Sequence, residues 1–105
     1  MAQFDISKNN NKTSKNDVPF IMEIQSNSVS ILETRIVVPL RRTENNLDKM
    51  ISKIHVPIEV ENNEYIAFVS EMAAIPSGLL GQTITNGASR RTEIISAIDL
   101  LFTGF

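Results

Sequence analysis

A chain of 105 residues with 42% hydrophobic and 21% charged side chains has room for one modest core and near-ordinary globular usage, which excludes a wholly disordered or multidomain protein. It contains no cysteine, so disulfides and thiolate metal sites are excluded, a usage that suits a reducing cytoplasm. The net charge of −2, from ten basic and twelve acidic side chains, argues against a protein that grips duplex DNA through its phosphates, because that task gathers cations on one face.

No stretch approaches the ~20 apolar residues that span a bilayer. Met1 to Lys15 holds no apolar segment of the kind a signal peptide needs. The expectation is a soluble, cytoplasmic protein folded as a single domain over residues 1–105, with no membrane partner.

Gln3-Phe4-Asp5-Ile6-Ser7 alternates polar and apolar side chains as a half-buried strand does. Lys8 to Asp17 is polar and rich in Asn, and reads as a solvated hairpin loop rather than an interaction tail, since Asn favours turns. Val18 to Gln25 is the second strand. Thr34 to Leu40, rich in β-branched residues, is the third, and Ser26 to Ser30 is the polar connection between them. Pro39 is expected to end the third strand or to mark it as an edge. Within Arg41 to Lys53 and just beyond, the helical spacing of Leu47, Met50, Ile51 and Ile54 suggests a short helical turn. Ile54 to Val60 and Tyr65 to Ser70 follow as two strands joined by Glu61 to Glu64, with Asn62-Asn63 at the tip of a tight hairpin. Ala74 to Gly78 interrupts the strand pattern, and Leu79 to Thr85 forms one more short strand.

The last element is a helix. Asn86-Gly87 closes a turn, and Ser89 is the expected N-cap. Ile94, Ile98, Leu101 and Phe102 recur at helical spacing as one apolar stripe. Glu93 suits the positive end of the helix dipole, and Gly104 is placed to end the helix. The fold class is therefore mainly β with a C-terminal α-helix: a small, strongly bent antiparallel sheet or barrel with the helix packed against it.

Candidates for catalysis are few. His55 is the single histidine, inside a predicted strand and without a second His or any Cys, and reads as a partly buried structural residue. Glu59 to Glu64 fits a solvated hairpin tip better than a calcium loop, which needs several oxygens arranged around a glycine. Gly78-Leu79-Leu80-Gly81 lacks the Lys-Ser/Thr that follows a phosphate loop. Arg90-Arg91 reads as exposed solubilising charge or as a partner contact. No catalytic residue, metal site or cofactor is expected, and a binding role remains by elimination. Leu101-Phe102-Thr103-Gly104-Phe105 leaves two readings open: a final Phe folded back into its own core, or a free aromatic anchor for a pocket on another protein.

Three blocks in order resemble the CcdB family of toxin–antitoxin toxins. They are Ile24-Gln25-Ser26 with Thr34-Arg35-Ile36-Val37-Val38-Pro39-Leu40, then Met72-Ala73-Ala74-Ile75-Pro76, and last Ile94 to Phe105. The resemblance covers nearly the whole chain from Gln3, with Arg41 to Asn63 diverged. It implies an SH3-like barrel of the kind shared by CcdB and MazF toxins, assembled as a symmetric homodimer. It also implies two partners: the DNA gyrase A subunit, trapped while its DNA is cut, and a CcdA-like antitoxin whose disordered part wraps the toxin. By the same resemblance, Asp99, Thr103, Gly104 and Phe105 are the gyrase-binding residues, with a helix end from each protomer meeting near the dimer axis. Ser26, Asn27, Ser28 and Val29 are the expected antitoxin contacts. The chain departs from the family's familiar pattern at Thr103, where tryptophan is usual, at Phe105, where isoleucine is, and at Asp99, where an amide is. Two other roles fit the same fold: a MazF-like RNA endonuclease, or an inactive antitoxin-binding decoy.

Overall fold

Period-two alternation along short strands gives this sheet two unequal apolar faces, and strong curvature lets the larger one wrap a helix. The computed structural model describes residues 2–25, 33–46 and 53–104. The strands are β1 (Asp5–Asn9), β2 (Phe20–Glu23), β3 (Thr34–Arg42), β4 (His55–Val60), β5 (Asn63–Phe68), β6 (Ala73–Pro76) and β7 (Leu80–Asn86). All their pairings are antiparallel. Their order is β4-β5-β3-β2-β1-β7, with β6 alongside β3. Among the described residues no ladder joins β4 to β7, so the sheet curls into a half-barrel instead of closing. A short helix α1 (Thr43–Asn46) follows β3, and α2 (Arg91–Thr103) follows β7. The mainly β architecture with a C-terminal helix is the one the sequence predicts.

Phe20 and Met22 of β2 turn to one side and Ile21 to the other, as strand geometry requires. The first side, with Ile6, Val38, Leu40, Ile58 and Ala67, packs on Ile94 and Ala97 of α2 to form the main core. Each such large apolar side chain contributes about 1.5–3 kcal/mol by leaving water. The second side holds a smaller cluster of Val18, Ile21 and Val37, covered by Ile75 and Leu80.

The first strand begins at Asp5, two residues later than alternation suggests. Phe4 has a positive φ of 69°, which turns the chain and drops its ring into the core at 3% exposure. Its N–H donates to the Glu23 carbonyl, and its own carbonyl accepts from Gly87 N–H at 2.8 Å. The polar loop after β1 is a hairpin connection, as expected, and it is built rather than slack. Asn9 Nδ2 donates to the Val18 carbonyl at 2.8 Å and Asn11 Oδ1 accepts from Thr13 N–H at 3.0 Å. Arg41, which also pairs with Glu71, ties Asp17 of this loop down.

Pro39 does not end β3, which runs on to Arg42. One side of β3 pairs with β6 up to Val37 and with β5 from Leu40, and Pro39 falls in the interval between the two partners. The hairpin tip lies at Glu61 and Asn62, one residue before the expected position. Both have positive φ (52° and 68°), as a two-residue primed turn demands, and Val60 pairs with Asn63. That closing pair is hydrogen-bonded, so Ile58 and Val56 also turn their backbone groups toward β5. The nitrogen of Pro57 therefore faces the free edge of β4.

Ala73–Pro76 is a strand, where the sequence suggested only a break; the break is the 3-10 turn Ser77–Leu79 that follows. In the segment after β3, the helical turn is Thr43–Asn46, while Leu47, Met50 and Ile51 lie outside the described residues and Ile54 packs against the main core. Ser89 is not the N-cap. It sits inside a 3-10 turn, Ala88–Arg90, and Arg90 precedes α2 without a side-chain cap. Asn86 satisfies the turn instead, its Oδ1 accepting from Ala88 N–H at 2.8 Å. Gly87 is needed for space: a Cβ there would stand 2.8 Å from both Ile58 Cδ1 and Met22 Sδ.

Candidate partner-binding surface

Helix α2 sorts its residues by angle. At about 100° per residue, Ile94, Ala97, Ile98 and Leu101 fall within one arc. Ile94 and Ala97 are fully buried, and Ile98 and Leu101 pack against the same core. Phe102 lies about 80° from Ile94 on this wheel, at the flank of the stripe rather than in it. It is 69% exposed. The expected membership of Phe102 in the buried stripe is thus corrected: eight residues of spacing, followed over two turns, carry a side chain off the apolar face.

Asp99 and Thr103 lie about 140° and 180° from Ile94, and both are exposed. The structure therefore brings two of the sequence-predicted gyrase-binding residues, Asp99 and Thr103, onto one solvent-facing surface, with Phe102 beside Asp99 on the side nearer the buried stripe. Phe102 is the member that sequence reading missed as a surface group. Its signal was the wheel angle, which a count of i, i+4, i+7 and i+8 positions smooths over.

The Thr103 hydroxyl donates to the Asp99 carbonyl at 2.5 Å, so it is engaged within its own helix and leaves a methyl group outward. Gly104 ends α2 in left-handed backbone (φ 79°, ψ 17°), its N–H donating to the Leu100 carbonyl at 3.0 Å. Phe105 lies outside the described residues, as do the expected antitoxin contacts Ser26, Asn27, Ser28 and Val29.

The strands that lead into and out of residues 26–32 are described, and they hold a buried charge. Glu23 at the end of β2 is 1% exposed and forms an ion pair with Arg35 of β3 at 3.6 Å. Burial pushes the Glu23 carboxyl above its ordinary value of 4.5, Arg35 partly offsets this, and Asp5 adds to the rise. Nearby, the Gln25 Oε1 accepts from Ile36 N–H at 3.2 Å, and Ile36 is itself 40% exposed.

At its other end α2 is tied in. The Arg91 guanidinium lies 5.6 Å above the Phe4 ring, and Arg90 pairs with Glu93 at 3.1 Å. A cavity of about 420 Å³ opens between β4 and α2, with Arg90 and Lys53 among its walls. His55, at the floor of this region, is 3% exposed. Its ring stacks on Phe68 at 4.1 Å and its Nε2 lies 2.7 Å from Ser70 Oγ, which holds it as a packed structural group. Glu59 and Glu64 face each other across the β4–β5 hairpin. Among the described residues, no group of three or more His, Asp or Glu stands ready to hold a metal ion, and no helix is long and apolar enough to cross a membrane.

A family model described as CcdB protein matches residues 3–104. That family consists of toxins of toxin–antitoxin pairs that act on DNA gyrase, not of catalytic enzymes. The curled antiparallel half-barrel, the C-terminal helix and a match over nearly the full length agree: the chain belongs to the CcdB family.

Proposed function

We propose that this protein is a toxin that binds the A subunit of DNA gyrase and traps the enzyme on cut DNA, so that a transient break persists. The binding surface is the exposed face at the end of α2, with Asp99, Phe102 and Thr103, together with Gly104 and Phe105. The toxin works as a homodimer in the cytoplasm, presenting two copies of this surface to a two-fold symmetric target. A CcdA-like antitoxin neutralises it, with contacts on Ser26 to Val29.

The observation that carries this reading is Phe102, an aromatic side chain 69% exposed on the last turn of a helix whose core-facing side buries Ile94 and Ala97. A large exposed aromatic beside polar neighbours is the composition of an interface anchor. Thr103 supplies no aromatic surface, and Phe102 with Phe105 provides it instead.

The test is DNA cleavage by purified gyrase on supercoiled plasmid with ATP, comparing the full chain with one lacking residues 103–105. Linear DNA is expected with the full chain and not with the truncated one. Equal cleavage by both would remove the terminal segment from the mechanism. Incubation with RNA in parallel reads out nuclease action, and strand scission there would replace the gyrase reading altogether.

A further inference from the structure

Asn86-Gly87 closes the turn before α2, and it is also a dipeptide prone to losing its side-chain amide spontaneously. Glycine has no side chain to shield its backbone nitrogen, so that nitrogen can attack the Asn86 Cγ. The new C–N bond closes a succinimide ring as the Cγ–Nδ2 bond breaks, and ammonia leaves with the proton of the Gly87 N–H. Water then opens the ring at either carbonyl, giving aspartate or its isomer with the backbone routed through the side chain. Water is the sole co-reactant, and nothing is oxidised or reduced.

The fold withholds both nitrogens that this reaction needs. The Gly87 N–H donates to the Phe4 carbonyl at 2.8 Å, and Gly87 itself is buried. The Asn86 Nδ2 donates twice, to the Gln3 carbonyl at 3.0 Å and to Asp5 Oδ1 at 2.9 Å, so both of its protons are engaged. The bond from Ala88 N–H to Asn86 Oδ1 would by itself polarise Cγ and favour attack, so the protection lies with the nitrogens. Their three acceptors belong to Gln3, Phe4 and Asp5, one short N-terminal segment. Asn86 is exposed, and water reaches it as soon as that segment lifts.

We propose that Asn86 is a deamidation site guarded by Gln3, Phe4 and Asp5: the folded chain keeps the amide, and a chain whose N-terminal segment opens loses it and does not regain its native stability. Asp5 and Asn86 stand directly opposite in the ladder between β1 and β7. An acid oxygen in place of Nδ2 faces two acceptors, the Gln3 carbonyl and the Asp5 carboxylate, and like charges directly opposite destabilise a strand pair. Arg91, close by, is engaged with Gln3 Oε1 at 3.5 Å and with the Phe4 ring. The isomer adds a backbone carbon and breaks the register with Asp5 as well. The reaction makes a brief opening permanent, whatever partner the protein binds.

The test incubates the full-length protein at neutral pH beside a synthetic peptide running from Gln82 to Arg91, which sets the unguarded rate. Mass spectrometry of proteolytic fragments reads the conversion of amide to acid at position 86. The folded chain should react at least about ten-fold more slowly than the peptide, because protection scales with the rarity of local opening. Equal rates would overturn the guard. Asp5→Ala removes one acceptor and should speed the reaction in the full chain; an unchanged rate would take the guard away from this segment. Urea titration reads the second half of the proposal. Asn86→Asp should unfold at lower urea than the parent, and the loss should shrink in an Asp5→Asn background, where an amide again meets a carboxylate. A midpoint equal to the parent's, or the same loss in both backgrounds, would overturn the destabilisation. Should Asn86→Asp not fold alone, its recovery in the Asp5→Asn background decides the same point.

Discussion

The two ends of α2 are built for opposite purposes. Its first turns are held by the body of the protein: Ile94 and Ala97 are fully buried, Arg91 covers the Phe4 ring and Arg90 pairs with Glu93. Its last turn holds an exposed Phe102, an exposed Thr103 and a left-handed Gly104. On the proposed reading one helix divides its residues between stability and recognition, and the division follows wheel angle and turn number. A fixed start makes the end a rigid platform, which lowers the entropy lost when a partner is gripped. The lesson is that stability and toxicity should be separable along a single helix of 13 residues.

The largest expected effect breaks the anchored end. Ile94→Ala should cost about 2–5 kcal/mol of unfolding free energy in urea titration, since it empties a fully buried site. A loss under about 1 kcal/mol would mean that α2 is not held through this residue. The mirror experiment is Phe102→Ala. Its unfolding free energy should stay within about 0.5 kcal/mol of the parent, while its gyrase affinity, read by titration calorimetry, should weaken by about 2 kcal/mol or more. If stability fell and affinity held, the comparison would be inverted.

Two changes in the sheet sharpen the contrast by altering stability away from α2. Glu23→Gln removes the buried carboxylate. Its carboxyl sits above the ordinary value of 4.5 in the folded protein, so between the two values the native state holds more protons than the unfolded one. Stability contributed by Glu23 is therefore present at low pH and declines as pH rises from 4.5 through the raised value. Stability of the parent relative to Glu23→Gln should fall with pH across that window and level off above it. An upward trend in denaturant titrations would contradict the burial argument. The smallest effect is at the β4–β5 hairpin, where Glu59 and Glu64 stand directly opposite. Glu64→Lys should stabilise by about 0.2–1 kcal/mol in low salt by replacing a repulsive cross-strand pair with an attractive one, and should leave gyrase trapping unchanged.

Much of this architecture was legible because its physics is local. The β-branched run of Thr34 to Leu40, the alternation in β1 and the apolar spacing of α2 each name their element without reference to the rest of the chain. What escaped depends on distant partners. Ala73–Pro76 carries a proline and only one β-branched residue, and it is a strand because Thr34–Val37 offers it a ladder. Pro39 looked like a stop because the sequence does not reveal that β3 changes partners beside it. Phe4 takes a left-handed turn that its side chain alone disfavours, repaid by hydrogen bonds to Glu23 and Gly87. At the surface, the resemblance named Asp99, Thr103 and Gly104 as gyrase-binding residues, and the structure places all three exposed at the end of α2. Phe102 was misplaced because a periodic count treats the edge of a stripe as its middle.

Pro57 has a consequence beyond its own strand. Among the described residues β4 is the outermost strand of an unclosed sheet, a row of backbone groups onto which another copy could add in register and begin a fibril. Pro57 stands mid-way along that row with its nitrogen outward, so an incoming strand finds a missing donor and a ring where the second bond should form. A half-barrel leaves an edge that a full barrel would have hidden, and a single imino acid makes that edge a poor template for runaway self-association.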